Sequence, residues 1–291
     1  MNCTDLSLLS NMTLRPAGLR NISILFRQTH HRCYSSSTSS INATEVSHFS
    51  NLASSWWDPY GSSRLLHQMN PLRHQFISSC LESQPDPAPS SKRRYLDVGC
   101  GGGIFAESAA RLPQTETVIG IDPSNEVISV AKEHACQDPL LLEPGRLVYQ
   151  NHSIEDLTIP ETRNEEFDVV SLFEVIEHID QPAPFLISCL PFVKPGGWLV
   201  LSTIARTWTS WLTTKVVAEN LIRLVPEGTH DWGKYINEQE LRGFLQAQKG
   251  WGQDRGVRSQ GCLYVPGLGW KMVEGSDKWG NYFFGVRKNL S

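Results

Sequence analysis

Long apolar runs are missing from this chain. Nowhere do about 18 uncharged apolar residues follow one another, so no segment reads as a membrane-spanning helix. Paired cysteine motifs are missing too. The seven Cys (3, 33, 80, 100, 136, 189 and 262) are odd in number and widely spaced, with no C-x-x-C pair. That usage supports neither a zinc ribbon nor a disulfide framework, and it reads as free thiols in a reducing compartment. A large excess of one sign of charge is missing as well, with 26 Lys and Arg against 30 Asp and Glu. A net charge of −4 leaves no global attraction to nucleic acid, and binding of that kind would need a local basic patch. No Ser/His/Asp arrangement is placed for nucleophilic hydrolysis.

The first 44 residues lack Lys and hold a single acid, Asp5, against four Arg (15, 20, 27 and 32) and abundant Ser, Thr and Asn. Arg-rich, Ser-rich and acid-poor composition predicts a mitochondrial transit peptide over residues 1–44. "RCYSSS" at 32–37 resembles a matrix-protease cleavage region, and a start at Met12 would leave an acid-free leader. The alternative is a tail that carries no address.

What is present is an ordinary globular composition, 40% hydrophobic over 291 residues, enough for one sizeable core. Residues 45–84 read as helical, and "QPDPAPSSK" at 84–92 is a Pro/Ser linker, so 45–92 forms an N-terminal segment ahead of a domain at 93–291. In that domain "RRYLDVG", "TVIGID", "RLVYQNHS", "FDVVSLFE" and "GGWLVLSTIA" read as strands, separated by the helical "IFAESAARL", "NEVISVAKEHAC" and "FLISCLPFV". Short apolar strands alternating with helices predict an α/β fold whose mostly parallel sheet is covered on both faces. "GVRSQGCLYV" and "YFFGVRK" are two further strand candidates, seven in all.

The chemistry sits at strand ends. "LDVGCGGG" at 96–103 follows the first strand and opens a helix, and Gly99, Gly101 and Gly103 let backbone approach a ligand. A dinucleotide fingerprint fails, because Ile104 stands where G-x-G-x-x-G needs glycine. Asp122 ends the second strand, where a carboxylate can accept bonds from ribose hydroxyls. Glu174, Glu177 and His178, in "FEVIEH", follow the fourth strand at i, i+3 and i+4. On a helical turn those offsets share a face, which reads either as a solvated helix start or as a metal site.

D-x-G-x-G-x-G, Asp122, "HSIEDL" and "VKPGGWLVLST" together resemble class I S-adenosylmethionine-dependent methyltransferases, which implies a Rossmann-like, seven-stranded sheet with helices on both faces. "WWDPYGSSRLLHQMNPLRHQFI", "FEVIEHIDQP" and "STIARTWTSWLTTKVVAENLIRLVPEGTHDWGKYI" narrow the resemblance to the ubiquinone-biosynthesis O-methyltransferases, from about Val46 to the C-terminus. Two extra residues in "RLPQTETV" set this chain apart from bacterial relatives, in a loop that should not move Asp122.

The resemblance implies S-adenosylmethionine bound by Arg73, Gly99, Gly101, Asp122 and Phe173. It implies a divalent metal at Glu174, Glu177 and His178, with Mg²⁺ favoured by the carboxylates and Zn²⁺ or other transition ions by the histidine. His178 and His230 are the candidate catalytic bases. The expected substrates are polyprenylated catechols and demethylubiquinol, methylated on phenolic oxygen. The expected setting is the matrix side of the mitochondrial inner membrane, in a complex of ubiquinone-biosynthesis proteins and without nucleic acid. Residues 205–236 form an amphipathic insertion, with Trp208 and Trp211 as membrane anchors or as part of a lid. A small-RNA 3′-end methyltransferase with a similar E-x-x-E-H motif, and a non-catalytic cofactor-binding subunit, are the other readings.

Overall fold

The computed structural model describes residues 40–83, 92–206, 235–253, 255–265 and 267–290. Residues 1–39 of the expected transit peptide, most of the 205–236 insertion and His230 lie outside them, while residues 40–44, the expected end of that peptide, are described and already begin a helix. Two helices lead: α1 (Ala43–Leu52) and α2 (Arg64–Glu82). Asn42 caps α1 by accepting from the Thr44 and Glu45 amides. Then come β1 (Arg93–Val98), α3 (Ile104–Ala110), β2 (Thr115–Ile121), α4 (Asn125–Ala135), β3 (Leu147–Gln150), β4 (Phe167–Phe173), α5 (Pro182–Cys189) and β5 (Val193–Ile204). The chain closes with α6 (Glu238–Gln246), β6 (Val257–Val265), β7 (Gly269–Val273) and β8 (Asn281–Arg287).

These strands form one sheet in the order β3-β2-β1-β4-β5-β8-β6-β7. The first five pair in parallel, and β8, β6 and β7 pair antiparallel. The strand order reverses between β1 and β4, which opens a crevice at their carboxyl ends. Among the described residues the sheet has eight strands, one more than expected. "GWKMV" is short, half-exposed and broken by Lys271, and only its antiparallel pairing with β6 makes it a strand. Similarly, α5 stops at Cys189 and gives way to a 3₁₀ turn over Leu190–Phe192, where Pro191 cannot donate to an α-helical ladder.

Every residue of β4 is buried, as a central parallel strand requires. Its side chains alternate between two cores. Val170 and Leu172 face α5 and α6 beside Phe185, Leu186, Leu241 and Leu245. Val169 and Phe173 face the other layer with α2, α3 and α4, through Met69, Phe76, Phe105 and Ile128. In α2 the buried residues Met69, Arg73, Phe76, Ile77 and Cys80 recur at helical spacing, so the N-terminal segment is built into this second core.

One buried cation ties the outer layer to the sheet. Arg146 donates to the carbonyls of Ala110, Leu112 and Thr115 at 2.7, 2.9 and 2.6 Å. These acceptors close the α3–β2 connection. Arg146→Met is expected to lower unfolding stability by about 3 kcal/mol, because charge-assisted bonds are lost and buried acceptors go unpaired. Urea denaturation of wild type and variant checks this.

Candidate active site

The loop after β1 folds tightly because its glycines take left-handed backbone, with φ of 69° at Gly99 and 54° at Gly101. The amides of Gly99 and Cys100 donate to the Ile121 carbonyl at 2.8 and 3.0 Å, pinning the loop to the end of β2. Asp122 completes the link. Its carboxylate accepts from the Gly101 amide at 3.1 Å and from the Ser124 amide at 2.9 Å. Burial nevertheless pushes the Asp122 carboxyl up to about 6.

Two tryptophans from the segment between α1 and α2 cover this loop. A β-carbon on Gly101 would lie 2.3 Å from Trp56 Cζ2, so the close approach requires glycine. Trp57 Nε1 donates to the Gly102 carbonyl at 2.8 Å, and its ring stacks on His134 at 3.4 Å between centroids. His134 Nδ1 in turn meets the buried Glu107 carboxylate at 2.8 Å. Sequence alone gives this Trp pair no role. Two adjacent tryptophans upstream of a glycine loop were the available signal.

Arg73 is 4% exposed, with its guanidinium 5.0 Å from the Phe173 ring centroid. Burial depresses its pKa, against the attraction of the Glu174 and Asp97 carboxylates. Its Nε, like Trp56 Nε1, is buried and finds no hydrogen-bond partner among the described residues. Asp97 is buried beside it and accepts from Ser171 Oγ at 2.6 Å, and burial pushes its carboxyl up to about 7. Phe173 packs edge-on to Phe105 at 4.8 Å and also lines the cavity described below.

The acidic stretch after β4 is not a helix face. Glu174 has φ of 58°, a left-handed conformation that costs a non-glycine residue roughly 1–2 kcal/mol and breaks the chain direction there. Glu177 and His178 belong to a separate 3₁₀ turn, Ile176–His178. Strand end and turn, rather than helical spacing, bring the three together. Ser202 Oγ donates to Glu174 at 2.6 Å, and Thr203 Oγ1 donates to Glu177 at 2.9 Å. Burial, then the charge of Glu174, pushes the Glu177 carboxyl up to about 7. His178 Nδ1 lies 3.1 Å from Glu45 Oε2 of α1, another residue the sequence reading missed. Burial lowers the His178 pKa, but the bond to Glu45 and the charges of Glu177, Glu45 and Glu174 raise it beyond its ordinary value. Among the described residues, no three His, Cys, Asp or Glu side chains converge on a point that could hold a metal.

A cavity of about 530 Å³ joins these parts. Gly99, Gly101, Asp122, Phe173, Glu174, Glu177 and His178 all line it, and Arg73 stands behind Phe173. It opens at the carboxyl ends of β1, β2 and β4, where open α/β sheets bind ligands. The nearby loop residues Ser153 and Ile154 also line it.

Buried acids give stability a definite pH dependence. Asp97 and Glu177 at about 7 and Asp122 at about 6 lie above ordinary carboxylate values. Near pH 8 all three are ionised in the unfolded chain, and as pH falls through 7 the folded chain takes up more protons. Stability therefore rises as pH falls between about pH 8 and about pH 6.5, with the raised His178 acting in the same sense. At lower pH His74, depressed to about 4 by burial, opposes this, because only the unfolded imidazole gains a proton there. Thermal unfolding at the two ends of that window is expected to give the higher midpoint at the acidic end. Asp97→Asn is expected to shrink the difference.

Comparison with known proteins agrees with this geometry. Residues 65–248 match a model of the methyltransferase domain. The mitochondrial ubiquinone biosynthesis O-methyltransferase of Schizosaccharomyces pombe is 43% identical, covering 87% of this chain and 88% of its own. That of Candida albicans is 39% identical over 86% of both chains. The ubiquinone biosynthesis O-methyltransferase of the bacterium Colwellia psychrerythraea is 36% identical, covering 84% of this chain and 93% of its own. Among solved structures, the plantazolicin methyltransferase BpumL in complex with SAH superposes with a TM-score of 0.54 at 16% identity, over 84% of this chain and 97% of that one, which is agreement in fold. A methyltransferase domain over most of the chain, and identities of 36–43% to relatives of one kind, mean that the chain belongs to the ubiquinone biosynthesis O-methyltransferase family of S-adenosylmethionine-dependent methyltransferases.

Proposed function

We propose that the chain methylates a phenolic hydroxyl of polyprenylated dihydroxybenzoates and of demethylubiquinol, with Arg73, Gly99, Gly101, Asp122 and Phe173 binding S-adenosylmethionine. One observation carries the reading: a single cavity joins the Asp122–glycine loop to Glu174, Glu177 and His178 across the end of β1. When bound, S-adenosylmethionine supplies the sulfonium methyl. The protein's groups suit it. Asp122 offers a carboxylate to ribose hydroxyls, and the unpartnered Nε of buried Arg73 suits a carboxylate. Trp56 and Phe173 wall the same space.

A phenol has an ordinary pKa near 10, so the hydroxyl must lose its proton to become a competent nucleophile. Glu177, held near 7, is matched to accept that proton close to neutral pH. His178 is held by Glu45 with a raised pKa, which suits an imidazolium that offsets the developing phenolate rather than a free base. Positioning completes the task, because in-line geometry at the methyl carbon is worth several kcal/mol. His230 remains a second candidate base, outside the described residues.

We further propose that a divalent ion held at Glu174, Glu177 and His178 would replace these proton roles, because metal ligands must be deprotonated and an imidazolium cannot coordinate. The donor chemistry fits Mg²⁺: two carboxylates whose charges oppose one another, beside an imidazole, all on one cavity wall. Such an ion would polarise adjacent substrate oxygens. As placed, each side chain is turned to its own partner, Glu174 to Ser202, Glu177 to Thr203 and His178 to Glu45. The mitochondrial setting is supported by the fungal relatives, which are named mitochondrial. Among the described residues no helix is long and apolar enough to cross a membrane. Peripheral contact with the matrix face and membership of a biosynthetic complex complete the proposal.

Two measurements test it. Asp122→Ala is expected to weaken binding of S-adenosylhomocysteine about thirtyfold, or about 2 kcal/mol, by titration calorimetry. Unchanged affinity overturns the role of Asp122. EDTA-treated enzyme is expected to stop methylating a dihydroxybenzoate and to recover with Mg²⁺, and Glu174→Ala and Glu177→Ala are expected to prevent recovery. Full turnover without metal overturns the metal site.

A further inference from the structure

The cavity continues beyond the reacting groups. From Glu174 it passes Cys262, a buried thiol close enough to feel the Glu174 and Arg73 charges. It then reaches a wall that, among the described residues, is apolar and aromatic: Leu65 and Met69 of α2, Leu263 and Tyr264 of β6, Trp270 of β7, and Trp279. The wall is built. Trp270 Nε1 donates to the Leu65 carbonyl at 3.0 Å, which bolts the β6–β7 hairpin to the start of α2. Tyr264 and Trp270 form a cross-strand pair with ring centroids 5.5 Å apart. At the rim Trp279 is 58% exposed and still lines the cavity, and Leu268 at the hairpin tip is 68% exposed.

From this we infer that the hairpin wall is the site of the substrate's isoprenoid tail, with the first units against Leu263, Tyr264 and Trp270 and the remainder leaving past Trp279. The inference rests on the proposed function and adds to it where the tail lies. A small polar catechol would gain nothing from an apolar wall reaching from the acidic groups to the surface. A catechol carrying a long unsaturated hydrocarbon needs both a polar end and an apolar exit. The cavity cannot enclose a long tail together with a nucleoside cofactor, and an exposed tryptophan at the mouth suits a chain that continues outward.

Two readouts test the site separately from the reaction. A dihydroxybenzoate bearing a farnesyl-length tail with a terminal diazirine is photolysed on the full chain, and the labelled residues are mapped by mass spectrometry. Label on the hairpin wall is expected, and label confined elsewhere, residues 207–234 included, overturns the inference. In parallel, kcat/KM is measured for farnesylated and tail-less catechols. Trp279→Ser and Leu263→Ser are expected to lower the ratio of the two about tenfold, the effect of losing roughly two buried methylenes' worth of contact. The remote exposed variant Leu142→Ser is expected to leave it unchanged. An equal ratio in wild type and both wall variants overturns the site. Label on the wall without methyl transfer keeps the tail site and overturns the proposed reaction. Methyl transfer with label elsewhere does the reverse.

Discussion

Buried charge at the carboxyl end of the sheet is the constraint on which the rest of this structure depends. Asp97, Asp122 and Glu174 sit at the ends of neighbouring strands and Glu177 on the turn that follows, with Asp97, Glu177 and Arg73 buried and the other two half-buried. Removing carboxylates from water is costly, and the raised pKa values of Asp97, Asp122 and Glu177 record it. The two apolar cores beneath, one on each face of β4, provide the stability that lets such a cluster persist. Local binding strength is obtained at the expense of global stability, as is common at functional sites.

Three carboxylates of the cluster are each held by a hydroxyl group from the sheet. Ser171 holds Asp97, Ser202 holds Glu174 and Thr203 holds Glu177, all from strands at the centre of the sheet. The N-terminal segment does the same from above: Glu45 holds His178, Trp57 holds the Gly102 carbonyl and Trp56 lies on Gly101. The N-terminal segment, from which the sequence offered only Arg73, therefore contributes Glu45, Trp56 and Trp57 to the site as well. Rigid strand ends with hydroxyl partners below and an aromatic cover above give side chains fixed by their surroundings, which is what preorganised catalysis needs.

Much of this was legible in the residues. Period-two and unbroken apolar strands, glycine after β1 and an acid after β2 follow from local rules, and the five parallel strands lie where those rules put them. Less legible were features set by contacts distant in sequence. The strand β7 exists only because β6 pairs with it, and α6 carries too few apolar residues to stand out although Asn237 and Glu240 form a capping box. Spacing alone suggested one helical face for Glu174, Glu177 and His178. The left-handed φ at Glu174 belongs to a strand end locked by Ser202, 28 residues away, and no local propensity announces it.

By itself, then, the sequence determined the alternation of strands and helices, the tight loop at Gly99 and Gly101, and the family, because these depend on residue type within a few positions. Tertiary structure decided which side chains meet: Glu45 with His178 across 133 positions, Trp57 with Gly102 across 45, and Trp270 with Leu65 across 205. It also decided which carboxylates are buried deeply enough to hold a proton near neutral pH. Burial is a property of the packed whole, and a carboxyl group's affinity for its proton follows the solvent that packing removes.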